Sequence, residues 1–225
     1  MKFKTAIFTL LLMVAFSKAF AGERLIVFGL DETGSYSFRK KAISIANTVI
    51  ADLAPGEIFY ARRITANSYR DEDAIFRLEI PRIGEPPTNE FDKKARYLWS
   101  RKAKQINAMK TQAMRFMEEL KPVNPPKTDI WGFIAAAADR IALENHIDAK
   151  PMLIIASDMI DNCYRNVKVD LQEAEVIIAG FESGNDPRKS QEIRTRWIKA
   201  FHDCNASKVT FLPPDFHLVT NQKGR

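Results

Sequence analysis

Two spacings of apolar residues alternate along the chain. Continuous apolar runs occupy residues 24–30, 151–161 (PMLIIASDMID) and 174–182 (AEVIIAGFE), and a shorter one occupies 208–212. Runs of this length bounded by polar or turn residues predict strands buried on both faces. Between them the apolar positions fall at helical spacing. Phe38, Ala42, Ile45, Ala46, Val49 and Ile50 predict a helix over 37–53, closed by Pro55-Gly56. Phe91, Ala95, Leu98, Ile106, Met109, Ala113, Phe116 and Leu120 trace a stripe along a long helix over 90–121. Residues 128–145 (TDIWGFIAAAADRIALEN) predict a helix rich enough in alanine to pack closely on a sheet, and 186–203 predict a further helix. Two more strands, 57–65 and 74–80, are joined by the polar turn 66–73. So short a tie favours an antiparallel hairpin, which belongs at a sheet edge. Proline-rich breaks at 81–89 and 122–126 isolate the long helix, and the tail after Pro213-Pro214 shows no clear period. The alternation predicts an α/β fold: a mostly parallel sheet covered by helices.

The first 21 residues stand apart from this pattern. Lys2 and Lys4 precede an apolar run over 6–16, and Ala19-Phe20-Ala21 is a small-x-small cleavage site. That is the anatomy of a secretory signal peptide, and the run is too short for a comfortable membrane span. The expectation is an exported protein, periplasmic or secreted, with a single domain over 22–225 and no transmembrane span after cleavage. An uncleaved signal anchor is the alternative. Loss of Lys2, Lys4 and Lys18 lowers the net charge from +6 to +3. A balance that mild gives no argument for nucleic acid as a partner. Cys163 and Cys204 are the two cysteines, and in an exported chain an even pair reads as a disulfide. It would close a loop of about 40 residues and contribute about 3–4 kcal/mol; two buried thiols are the other reading.

Charge is concentrated in one place. Residues 88–121 hold nine basic and four acidic side chains. The stretch KKARYLWSRKAKQINAMK suggests an anionic partner such as nucleic acid or a membrane surface, or simply a solvated helix face. Tyr97 and Trp99 are expected to be partly buried. An exposed Trp99 beside Arg101 and Lys102 would mark a partner contact.

The candidate chemistry sits where the first strand ends. Asp31 closes that strand and is followed by Thr33, Gly34 and Ser35, so hydroxyls alternate within reach of a carboxylate. Asp158 ends another buried strand, and Thr128 opens a helix. In an open parallel sheet, ligands bind at the carboxyl ends of strands. Carboxylates, hydroxyls and waters are the oxygen donors that a hard cation such as Mg²⁺ takes. The amides opening the helix after Ser37 favour an anion nearby.

These three segments, Asp31-Glu32-Thr33-Gly34-Ser35, the remote TDIWG at Thr128 and IIASD at Asp158, resemble the metal-ion-dependent adhesion site of von Willebrand factor type A (vWA) domains. The family pattern is Asp-x-Ser-x-Ser, a later Thr, and an Asp after the fourth strand. The resemblance spans about residues 25–212. It implies a Rossmann-like fold with one antiparallel edge strand and helices on both faces. It further implies Mg²⁺ or Mn²⁺ held directly by Thr33 and Ser35, and by Thr128 when ligand is bound, with Asp31 and Asp158 acting directly or through water. One coordination position would be left for an acidic side chain of a protein partner. Three departures stand out. Thr128 follows Asp31 by 97 positions, more than the family usually needs, with the excess at 81–126. SDM replaces the usual Thr-Asp-Gly at the third segment. The family's final helix is weak or missing after Pro213.

Several residues carry competing roles. Thr128 is a reasonable helix N-cap, Asp129 a first-turn dipole partner, Glu32 a solvated side chain, and Asp161 either a rim residue or part of a turn. His146, His202 and His217 have no ligand spacing. No nucleophile–base pair or Gly-x-Ser-x-Gly elbow is visible. The lack of such a pair favours a non-enzymatic binding module, and the resemblance implies a role in adhesion or envelope assembly. The alternative is a metal-dependent phosphoester hydrolase using Asp31 and Asp158, a class that generally needs more carboxylates.

Overall fold

The computed structural model describes residues 23–144, 149–163, 167–181 and 186–213. The predicted signal segment with its cleavage point, His146 and His217 lie outside the described residues. Strands β1 (Arg24–Asp31), β2 (Ile58–Ile64), β3 (Ala74–Glu79), β4 (Lys150–Ala156), β5 (Glu175–Ala179) and β6 (Lys208–Leu212) form one sheet in the order β3-β2-β1-β4-β5-β6. All neighbours run parallel except β3, which pairs antiparallel with β2 at the edge. The expected edge hairpin is therefore present.

Helices cover both faces, because each strand sends alternate side chains to opposite sides. Leu25 and Val27 of β1 join Leu153 and Ile155 of β4 under α3 (Ile130–Leu143) and α4 (Pro187–Asp203). Ile26, Phe28 and Leu30 face the other way, under α1 (Arg39–Asp52) and α2 (Lys93–Glu119). The alanine-rich α3 packs closest: Gly29 lets the Phe133 ring lie directly on β1, where a Cβ would stand 2.6 Å from the ring. The largest side chain on this face, Trp197, is buried and donates its indole N–H to the Met159 carbonyl at 2.8 Å.

The long helix keeps part of its predicted stripe: Ile106, Met109, Ala113 and Leu120 pack on the core with Met117, whereas Leu98 and Phe116 are exposed. Its carboxyl-terminal half lies antiparallel along α1. The Lys110 ammonium donates to the Ala51 carbonyl at 2.9 Å and also to that of Leu53, closing the end of α1, while the Arg39 guanidinium donates to the Leu120 carbonyl at 2.6 Å at the other end. Among the described residues, no helix is long and apolar enough to cross a membrane.

The expected disulfide is not formed. Cys163 lies past β4 at the carboxyl end of the sheet, its Sγ 3.5 Å from the Ala66 carbonyl. Cys204 is buried just after α4, and its backbone carbonyl accepts from Leu171 N–H at 2.9 Å, before β5 begins. The helix carries Cys204 back to the amino end of the strands, so the two thiols sit at opposite ends of the sheet.

Candidate metal centre

The strand order reverses between β1 and β4, whose connections leave toward opposite faces of the sheet. A crevice opens outside the carboxyl ends of such a pair, and it is the usual ligand position in open α/β sheets. Asp31 is the last residue of β1, and Ser157 and Asp158 follow the last residue of β4. The fold thus brings two of the three predicted segments side by side.

Hydrogen bonds organise this edge around the fully buried Asp31 carboxylate. Its Oδ1 accepts from the Thr33 amide at 2.9 Å and from Thr33 Oγ1 at 2.6 Å. Its Oδ2 accepts from Ser157 Oγ at 2.6 Å. Thr33 Oγ1 lies 3.2 Å from Ser35 Oγ. Ligands on adjacent corners of an octahedron with metal–oxygen distances of about 2.1 Å stand about 3.0 Å apart. The Thr33–Ser35 hydroxyl pair therefore fits one edge of a Mg²⁺ or Mn²⁺ coordination sphere. Thr33 directs its proton to Asp31, so in its contact with Ser35 the Thr33 oxygen is the acceptor.

The third segment is fixed by the loop after β4. Thr128 is buried, with its amide donating to Asn162 Oδ1 at 2.7 Å and its carbonyl accepting from the Asn162 amide at 3.1 Å. Asp161 Oδ1 accepts from the Ile130 amide at 2.9 Å, and the Asp129 amide donates to the Thr65 carbonyl at 2.7 Å. Asp161 thus clips one rim loop to another. The cap of α3 is Asp129, whose Oδ1 accepts from the Gly132 amide at 2.9 Å. That corrects the assignment of Thr128 as N-cap: with Asp129 in that role, Thr128 stands one residue outside the helix. Gly132 is required beside it, since a Cβ there would lie 2.3 Å from the Asp129 carboxylate.

Burial is the dominant electrostatic influence. It raises the Asp31 carboxyl from 3.8 to about 6, helped by the nearby Asp158 charge and opposed by hydrogen bonds from Ser157 and Thr33. A carboxylate so placed in a dry site gains from a cation. Burial and the charges of Asp31 and Asp158 also push the Tyr36 phenol upward. The Tyr36 hydroxyl is buried without a protein hydrogen-bond partner among the described residues.

Glu32 is not solvated as expected but 2% exposed. Arg39 pairs with it through two hydrogen bonds of 2.7 and 3.1 Å, and Arg63 approaches to 3.7 Å. The pattern hid this, because the arginines come from α1 and β2. The basic charge therefore pairs with Glu32 rather than with Asp31.

Asp31, Thr33 and Ser35 are thus joined directly, and Asp158 acts on Asp31 through its charge. Thr128 is tied to the loop of Asp158 through Asn162. Sequence reasoning missed Ser157, although its place before Asp158 at the end of an apolar run put it on the same rim. His202 lies elsewhere, its ring nitrogen 3.1 Å from the Ala206 carbonyl. Trp99 is half-buried and donates to the Gly84 carbonyl at 2.8 Å, while Arg101 and Lys102 are exposed. Tyr97, expected to be partly buried, is 66% exposed. Among the described residues no group of three His, Cys, Asp or Glu side chains is placed to hold a metal ion.

Two solved structures are similar to this chain. A von Willebrand factor type A protein from Catenulispora acidiphila is 14% identical, with a TM-score of 0.48, over 86% of this chain and 40% of that one. Proximal thread matrix protein 1 of the mussel byssus, in a form whose MIDAS motif is occupied by zinc, is 10% identical, with a TM-score of 0.47, over 87% of this chain and 43% of that one. The chain therefore spans less than half the length of either. Its sequence matches no protein-family model and no curated protein.

Proposed function

We propose that this chain is an exported vWA-type binding module that holds a divalent cation, Mg²⁺ or Mn²⁺, and offers it to an acidic side chain of a protein partner. The single observation that carries the reading is the hydroxyl pair of Thr33 and Ser35. It sits at octahedral spacing beside the buried Asp31, at the point where the strand order reverses. Thr33, Ser35 and Thr128 would supply hydroxyl oxygens, and Asp31 and Asp158 the negative charge. Ser157 would hold Asp31 in its rotamer through the 2.6 Å hydrogen bond. The cation, when bound, supplies Lewis acidity toward a carboxylate oxygen. Asp31 and Asp158 would match the formal charge of a doubly charged ion, and an oxygen of a partner Asp or Glu would serve as a further ligand.

Calorimetric titration with Mn²⁺ tests the site. Binding to the wild type that is lost in Thr33→Val and Asp31→Ala supports it, and equal binding by all three overturns it. Capture of a protein partner that EDTA abolishes and Mg²⁺ restores supports the docking role.

A further inference from the structure

We propose that the amino-terminal half of α2, with the turn before it, is a docking face for an anionic lipid surface, at the end of the molecule opposite the metal centre. From Glu90 to Gln105 the turn and the half-helix hold six basic side chains against two acidic ones, Glu90 and Asp92. Residues 93–105 contain no buried position. At 1.5 Å per residue this stretch is about 20 Å long. On the helix, Tyr97, Arg101 and Lys104 lie on the side opposite Ile106 and Ala113, the residues that pack on the sheet. Phe91 is 92% exposed in the preceding turn, and Leu98 is also exposed.

The geometry fixes which end of the protein carries this face. Lys110 meets the last carbonyls of α1 at the amino end of the strands, and the helix begins four to five turns beyond it. Trp99 ties that portion to Gly84, which follows β3, and Arg82 pairs with Glu23 at the start of β1. The chemistry favours lipid over an acidic protein segment. The face is rich in lysine, a residue depleted at protein interfaces, and it combines that charge with exposed Phe91, Tyr97 and Leu98. Polybasic charge with adjacent aromatic and aliphatic side chains is what an anionic headgroup layer takes. Docked this way, the metal centre would face away from the bilayer.

Flotation of the purified protein with phosphatidylcholine vesicles, with and without phosphatidylglycerol, tests the proposal. Dependence on phosphatidylglycerol is the readout. At about 0.1 M NaCl the expected result is a preference for phosphatidylglycerol of about tenfold or more, falling toward none at about 0.5 M. The quadruple variant Lys93→Glu, Lys94→Glu, Arg101→Glu, Lys104→Glu should lose that preference. Phe91→Ser with Leu98→Ser should weaken binding while keeping its salt dependence. Circular dichroism and Mn²⁺ titration should be unchanged in both variants, because the substituted residues are exposed and distant from Asp31. Equal binding to both vesicles by the wild type, or an unchanged preference in the charge-reversed protein, overturns the proposal. So does retention by immobilised poly-glutamate without any preference between vesicles.

Discussion

Ser157 offers a direct test of how the buried carboxylate is poised. Replacing it with alanine removes the 2.6 Å hydrogen bond to Asp31 Oδ2 and leaves Thr33 as the remaining donor to that carboxylate. A hydrogen bond to a charged group contributes about 1.5–3 kcal/mol. At 1.36 kcal/mol per pH unit, its loss should move the Asp31 carboxyl upward by about one to two units. Starting from about 6 in the wild type, the Ser157→Ala protein would then hold its proton to pH of about 7–8. Because a proton and a cation compete for the same carboxylate, Mn²⁺ affinity measured calorimetrically across pH should follow this shift. Near pH 6.5 the variant should bind about 3- to 25-fold more weakly, and near pH 9 it should come within about twofold of the wild type. The same elevation has a consequence for stability without metal. Asp31 holds its proton when folded between pH 3.8 and about 6, where the unfolded chain has released it. Stability contributed by this group is therefore greatest at low pH and is lost as pH rises through that window. In Ser157→Ala the loss should continue to higher pH. An affinity profile with the same midpoint in both proteins would refute the claim that Ser157 sets the charge state of Asp31.

Other substitutions probe the frame around the site. Glu32→Gln leaves Arg39 and Arg63 without their anion and should cost about 3 kcal/mol in urea unfolding, the lower end for a broken buried pair, since both arginine side chains are a fifth exposed. Gly29→Ala drives a methyl group into the Phe133 ring and should destabilise by about 1–3 kcal/mol; Phe133→Leu in the same chain should recover part of that in thermal melts. Asp129→Ala removes the cap of α3, with an expected loss of about 1 kcal/mol by the same assay. Both cysteines should react with a thiol reagent in denaturant without prior reduction, and a reductant should leave the melting temperature unchanged.

Much of this architecture was legible in the chain. Apolar runs without alternation predicted β1, β4 and β5 as doubly buried parallel strands. The short polar turn at 66–73 predicted the antiparallel edge, since a parallel return needs a crossover. Asp31 and Asp158 read as rim residues because each follows such a run. These properties belong to local sequence: periodicity, run length and the chemistry of a strand end. What the tertiary structure alone decided concerns which distant groups meet. Glu32 looked like an exposed acid until α1 and β2 brought Arg39 and Arg63 against it. Ser157 acquired its role only because β4 pairs with β1 and sets its hydroxyl on Asp31. Cys163 and Cys204 are separated because a helix returns the chain across the whole sheet between them. The stripe on α2 packs on the core only over its carboxyl-terminal half, for a related reason. Periodicity tells which residues share a helix face, but not how much of the helix reaches past the sheet, and here the first three turns have no layer beneath them.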